Sequence, residues 1–300
     1  MEKNTLNING FPGINTESIG ISPCNACPRE CKVDRNAGEL GICGTGKYAK
    51  VASYNIHHGE EPIISGNLGS GTIFFSGCNL ACVYCQNFPI SHYRNGEFAN
   101  AKQLAAMMLK LQKRGAHNIN FVSPSHMILQ IIEAVQIAKN EGLKIPLVYN
   151  SSGYEKLAAL KLLNGIIDIY MPDLKYMKDT FAKKYSEADN YKEIASTAII
   201  EMYKQVGGIK LKNGLARKGL LIRHMVLPNK LSSTIEAIDF IEKITGNDIG
   251  ISLMGQYFPA HKAENYPEIN RKLKSTEYES AIDYLSTKDF KHIFVQNEIT

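Results

Sequence analysis

The residues best suited to chemistry in this 300-residue chain are its seven cysteines, all of which fall between positions 24 and 85. Three of them, Cys78, Cys82 and Cys85, stand at Cys-x3-Cys-x2-Cys spacing in the loop Gly77-Cys78-Asn79-Leu80-Ala81-Cys82-Val83-Tyr84-Cys85-Gln86-Asn87. An apolar run at 71–75 precedes the loop, so a strand would deliver it and a turn could fold three thiols round one face of a metal cluster. Thiolate is the soft ligand that iron–sulfur clusters take. Three ligands for four irons leave one iron open, where chemistry beyond electron transfer could occur. A zinc knuckle is the competing reading, but three cysteines are one short of a closed tetrahedral set.

The other four thiols, Cys24, Cys27, Cys31 and Cys43, lie in Cys24-Asn25-Ala26-Cys27-Pro28-Arg29-Glu30-Cys31 and Gly38-Glu39-Leu40-Gly41-Ile42-Cys43-Gly44. They form a complete set for a closed site, with Pro28 and three glycines shaping the turns. So short and polar a segment cannot build its own core, and a bound metal would supply the missing folding free energy. Four ligands leave no open position, which points to a structural role. Zinc and a second iron–sulfur cluster both suit the set, and metal-free reduced thiols remain the plainer reading. An odd, clustered cysteine count favours metal binding over disulfides.

Around these cysteines the composition is that of an ordinary globular protein, 44% hydrophobic and 21% charged. The net charge of +5 is spread along the chain with no dense basic run, so it argues only weakly for an acidic partner and does not call for nucleic acid. Residues 1–20 lack the basic and apolar stretches of a secretion leader, and no apolar run approaches the ~18 residues of a membrane span. The sequence therefore reads as cytoplasmic, with no membrane partner.

Short β-branched runs at 72–75, 118–122, 146–149, 166–170, 220–226 and 249–254 must position these residues. Helix-like stretches separate them, at 101–114, 127–140, 154–163, 191–206 and 232–245, and Ser233 to Glu236 fits a Ser-x-x-Glu capping box. Six strands alternating with helices predict a parallel sheet with right-handed crossovers, in a partial (β/α)6 TIM-type barrel. A further helix at 275–285 and an apolar run at 292–295 close the chain. Residues 1–22 read as an extended arm, and residues 1–70 as an arm plus the four-cysteine segment. His57, His58, Glu60 and Glu61 could ligate metal or move protons, although adjacent loop histidines more often only form hydrogen bonds.

Working residues of a parallel barrel sit at the C-terminal ends of its strands. Here those ends carry the cluster loop, Ser123-Pro124-Ser125-His126, Asn150-Ser151-Ser152-Gly153-Tyr154, Pro172-Asp173-Leu174-Lys175-Tyr176, Arg223-His224, and Gly255-Gln256-Tyr257. Polar residues at the same end of every strand argue for a shared cavity.

The cysteine spacing, with Tyr84 before the third thiol, resembles the radical S-adenosylmethionine (SAM) superfamily. Together with His58-Gly59-Glu60-Glu61-Pro62, Asn150-Ser151-Ser152-Gly153, Asp173-Leu174-Lys175 and Arg223-His224, it looks like the radical SAM proteins homologous to pyruvate formate-lyase activating enzyme. The resemblance covers residues 20–296 and makes residues 71–300 the core domain. It implies a [4Fe-4S] cluster on Cys78, Cys82 and Cys85, with SAM on the open iron and reductive cleavage to a 5′-deoxyadenosyl radical. It also implies a protein or other macromolecular substrate, with glycyl-radical proteins one such class, and a reductant such as flavodoxin or ferredoxin.

Asp173, Lys175 and Arg223 match SAM-site positions of the activating enzymes. Lys175 and Arg223 suit a carboxylate, Asp173 suits an ammonium or ribose hydroxyls, and Asn150 and Ser152 can donate and accept beside them. Tyr84 could lie against the adenine or simply pack. A Gly-Gly-Glu-Pro turn common in the superfamily is replaced here, leaving Ser123, Ser125 or His126 for the SAM amino group. Two other classes compete. One is an iron–sulfur electron carrier or redox sensor without SAM chemistry, which needs no polar cavity over its cluster. The other is a zinc-stabilised nucleic-acid module, which predicts aromatic residues among the first four cysteines, and none is present.

Overall fold

A computed structural model of the chain describes residues 19–296, so most of the expected N-terminal arm lies outside the described residues. The strands are β1 (Ala49–His57), β2 (Ser70–Phe75), β3 (Glu97–Ala99), β4 (Ile119–Val122), β5 (Leu147–Ser151), β6 (Ile169–Pro172), β7 (Lys210–Lys212), β8 (Leu215–Met225), β9 (Gly250–Met254) and β10 (His292–Val295). The helices are α1 (Pro62–Ser65), α2 (Phe88–Ser91), α3 (Ala101–Lys113), α4 (Ile128–Asn140), α5 (Leu157–Lys161), α6 (Asp179–Ser186), α7 (Tyr191–Val206), α8 (Thr234–Thr245) and α9 (Ser275–Ser286).

One sheet runs in the order β10-β9-β8-β6-β5-β4-β2-β1-β3, with β7 hairpinned onto β8. From β2 to β10 neighbours pair parallel, and the two ends of the order do not meet, so the barrel is partial as expected. The terminal run at 292–295 adds one more parallel strand beyond the expected six. β1 pairs antiparallel with β2, so the segment before residue 70 shares the sheet with the core after it.

Alternation along the strands sorts the sheet's two faces. Ile119, Phe121, Leu147, Tyr149, Tyr170, Leu220 and Ile222 point outward into one core with Leu104, Met108, Ile131 and Ile199 of the covering helices. Val148, Ile169, Met171 and Leu221 point inward, where Ile63 and Ile64 of α1 pack on them. Two residues further along the same strands, on the same inner face, come Asn150, Asp173 and Arg223.

Three local expectations are corrected. Ile166 and Ile167 lie in a turn that Gly165 allows at φ +76°, so β6 starts only at Ile169 and the helix expected at 154–163 shrinks to α5. β8 reaches back to Leu215 because Asn213-Gly214, both at positive φ, form a two-residue hairpin turn to β7. Ser233 sits at φ 55° with its buried hydroxyl unpartnered, so the Ser-x-x-Glu box does not form. The reciprocal capping pair is instead at α3, where Asn100 and Gln103 bond each other's backbone N–H groups.

Candidate functional site

The cluster loop leaves the C-terminal end of β2 and is held from outside itself. Ala81 and Val83 donate their N–H groups to the carbonyls of Ser186 and Tyr185 at the end of α6, and Lys262 donates its N–H to the Val83 carbonyl. Asn79 donates its side-chain amide to the Tyr154 carbonyl at 2.6 Å. Hydrogen-bonding groups already face the sulfurs: Leu80 N–H donates to Cys78 Sγ at 3.4 Å and Ser186 Oγ to Cys82 Sγ at 3.0 Å, while the Ser91 hydroxyl, which donates to the Asn87 carbonyl, lies 3.1 Å from Cys85 Sγ. Burial pushes the Cys78 and Cys82 thiols up to about 12 and about 11, with the neighbouring thiols adding to the rise and Lys175 opposing it. Such thiols stay protonated unless a metal takes the charge, and donors to the sulfur are what an iron–sulfur site requires of its surroundings.

Opposite the loop, the inner face carries a network of charges. Asp173 accepts from Lys175 Nζ at 2.7 Å and from Arg223 Nε at 2.9 Å. Arg223 also reaches Asn150 Oδ1 at 2.7 Å and Glu60 Oε2 at 3.3 Å, and Asn120 donates to Glu60 Oε1 at 3.0 Å. Burial alone would raise Asp173, but Arg223 and Lys175 outweigh it and hold the carboxyl below its ordinary value. Glu60 has only Arg223 nearby as a strong cation, and burial raises it. Two acceptors at the network's margin, Asn120 Oδ1 and Glu61 Oε2, are buried without a hydrogen-bond partner among the described residues. A cleft of about 180 Å³ opens beside them, bounded by Glu60, Glu61, Arg223, Ser252, Met254 and Phe294.

The structure thus brings together Asn150, Asp173, Lys175 and Arg223, and the Lys175 ammonium acts on the Cys78 and Cys82 thiols. Ser152 sits at the edge, 3.5 Å from Asn79 Oδ1. Tyr84 is placed by packing: it is 3% exposed, bonds the Tyr176 hydroxyl at 2.6 Å and meets the Tyr257 ring edge-on. Ser125 and His126 turn away from the inner face, to Glu155 and to the Ser76 carbonyl. His57 packs edge-on against Phe74.

Glu60 proved to be the buried member of its motif, while Ser186, Asn120 and Arg29 gave no signal of their own in the sequence. Among the described residues, no three His, Cys, Asp or Glu side chains stand close enough to share one metal ion. The unpartnered acceptors and the charged network suit a zwitterionic ligand bearing hydroxyls.

A family model described as the radical SAM superfamily matches residues 72–241, more than half of the chain, and takes in the loop of Cys78, Cys82 and Cys85 as well as Asn150, Asp173, Lys175 and Arg223. The chain belongs to the radical SAM superfamily. Radical SAM enzymes use a [4Fe-4S] cluster and SAM. An uncharacterised protein of Methanocaldococcus jannaschii is 33% identical over 272 residues, covering 87% of this chain and 73% of that protein. Pyruvate formate-lyase-activating enzyme of Clostridium pasteurianum is 24% identical over 190 residues, covering 57% and 71%. Among solved structures, Streptococcus suis SuiB bound to SAM superposes with a TM-score of 0.54 at 14% identity, covering 73% of this chain. The match spans 48% of SuiB, about half its length, and shows a shared radical SAM fold. No helix among the described residues is long and apolar enough to cross a membrane.

Proposed function

We propose that this radical SAM protein binds a [4Fe-4S] cluster through Cys78, Cys82 and Cys85 and SAM beside the Asp173–Lys175–Arg223 network, and that it abstracts hydrogen from a macromolecular substrate. When bound, the cluster supplies the electron that cleaves SAM to methionine and a 5′-deoxyadenosyl radical. The observation that carries the reading is Lys175, whose charge acts on both Cys78 and Cys82 while its Nζ bonds Asp173 at 2.7 Å. Lys175 and Arg223 present cations to a carboxylate, Asp173 presents an anion to an ammonium or a ribose diol, and Asn150 fixes the Arg223 guanidinium. Asn120 Oδ1 and Glu61 Oε2 offer acceptors to further hydroxyl or amino groups.

Similarity to an activating enzyme over 190 residues supports a glycyl-radical protein as the substrate class, with a small flavodoxin- or ferredoxin-type carrier as reductant. The four N-terminal thiols would hold zinc or a second cluster. An electron carrier without SAM chemistry has no use for a buried network of this kind. The test is anaerobic reconstitution, dithionite and SAM, with 5′-deoxyadenosine as readout. The parent forms the nucleoside and Cys82→Ala does not. A fully reduced cluster that leaves SAM intact sinks the reading.

A further inference from the structure

Arg35 is fully buried. Its guanidinium donates to the Gly46 carbonyl at 2.7 Å, the His126 carbonyl at 2.9 Å and Met127 Sδ at 3.8 Å. All three are neutral, and no ion pair to a carboxylate is found for it among the described residues. An arginine does not give up its proton in a protein, and a buried charge without a counter-charge is strongly unfavourable. Arg35 also lies near Cys24: burial raises that thiol above its ordinary value, and the guanidinium opposes the rise. Cys24 in turn interacts with Cys31 and Cys27, and Cys27 with Cys43. Gly41 keeps the space between two of the sulfurs open: a methyl there would stand 3.0 Å from Cys31 Sγ and 3.5 Å from Cys43 Sγ. Four neutral thiols would leave Arg35 uncompensated. A divalent ion held by four thiolates is a dianion.

The same segment grips the catalytic loop. Arg29, between Cys27 and Cys31, donates Nε to the Asn79 carbonyl at 2.8 Å and Nη2 to the Ser186 carbonyl at 3.3 Å, and Nη1 bonds the Glu187 carbonyl. Its guanidinium lies over the Tyr154 ring at 5.6 Å, and Glu30 pairs with Lys156 at 2.6 Å. Asn79 follows Cys78 directly, and Ser186 is the donor to Cys82 Sγ. One side chain therefore ties the first four cysteines to the surroundings of the other three.

We propose that Cys24, Cys27, Cys31 and Cys43 hold a thiophilic metal as an anionic tetrathiolate centre whose charge Arg35 partly offsets, and that this centre fixes the Cys78–Cys85 loop through Arg29. Metal uptake releases the thiol protons and draws the sulfurs together, since no three of them yet stand at single-ion spacing among the described residues. The second half of the proposal rests on the radical SAM reading of Cys78, Cys82 and Cys85. The first half does not.

Two measurements test it. In the first, a variant with Cys78→Ser, Cys82→Ser and Cys85→Ser is purified anaerobically and its metals are counted. About one zinc or about four irons per chain are expected. Adding Arg35→Met should weaken retention against a chelator about tenfold. A metal-free triple variant overturns the centre, and unchanged retention overturns the role of Arg35. In the second, the reconstituted full protein is compared with Arg29→Ala and Arg29→Lys. Arg29→Ala should keep its N-terminal metal and circular dichroism while losing catalytic iron to a chelator about tenfold faster, with an altered spectrum of the reduced cluster. Arg29→Lys should restore part of the retention. Iron loss at the parental rate overturns the brace, and a parent that takes up no catalytic iron overturns the radical SAM reading while leaving the first measurement intact.

Discussion

The two thiol regions are both buried against a cation, but the cations differ in company. Lys175 beside Cys78 and Cys82 shares Asp173 with Arg223, and Arg223 in turn meets Glu60. Two basic and two acidic side chains there can balance among themselves. Arg35, near Cys24, has only neutral acceptors among the described residues. Beside the Cys78–Cys85 loop, Asp173, Lys175, Arg223 and Glu60 are already paired before anything binds, and Glu61 Oε2 is left without a hydrogen-bond partner among the described residues. At the N-terminal segment, the centre proposed above would have the sulfurs themselves supply an anion. Thiol number would follow the same division: three ligands leave one iron of a four-iron cluster open, and four suffice for a closed shell.

The contrast breaks most sharply if the balanced network is unbalanced. Asp173→Asn leaves Lys175 and Arg223 facing each other and should cost about 3 to 5 kcal/mol in urea unfolding, with SAM cleavage falling with it. An unchanged unfolding midpoint would mean that the network is not balanced through Asp173.

Glu155 offers a third case, a buried carboxyl with hydrogen bonds from Ser125 and Tyr149 and no cation beside it among the described residues. Burial raises it to about 7 from 4.5. Since the folded value is the higher, the native state keeps a proton that the unfolded chain has released. Its contribution is full below about pH 4.5 and is lost as the pH rises to about 7, a swing of about 3 kcal/mol. Glu155→Gln should flatten that part of the stability–pH curve, and a parental slope in the variant would place the titration elsewhere.

Ser186→Ala removes the donor to Cys82 Sγ, so the cluster should be harder to reduce and bind iron about tenfold less tightly. A midpoint potential at or above the parent's would argue that the sulfur needs no such donor. The smallest effects set the scale away from both regions. Asn100→Ala at the start of α3 should cost about 1 kcal/mol, while Ser233→Ala should stay within about 0.5 kcal/mol because its hydroxyl caps nothing. Equal thermal shifts would contradict the two capping geometries.

Much of this was legible locally. The alternation of apolar runs and helices gave the parallel order from β2 to β9, and cysteine spacing after an apolar run located the loop, because a ligand set on consecutive turns needs no distant partner. What pairs across long separations left no trace. Glu60 meets Arg223 from 163 residues away, and Arg29 meets Ser186 from 157. β1 was hidden because its polar, half-exposed pattern reads as loop until β2 and β3 flank it. The Asn213-Gly214 hairpin has a local signature, since Asn-Gly favours the positive φ angles of a two-residue turn. Ser233 shows the opposite failure, a correct motif defeated by a left-handed backbone that aims its hydroxyl away from the helix.

Behind the loop, Tyr84, Tyr176 and Ser186 run in a row of hydroxyls to Cys82, with oxygen–oxygen spacings of 2.6 and 2.8 Å and a final 3.0 Å step to sulfur. A thiol at the end of that row can give or take a hydrogen bond, so the row can order itself either way. A sulfur that has released its proton to solvent and bound a metal can only accept. Ser186 must then donate to it, Tyr176 to Ser186, and Tyr84 to Tyr176. Loading one sulfur thus gives three O–H dipoles a single polarity, a directional alignment that reaches from the cluster loop into the middle of the tyrosine packing.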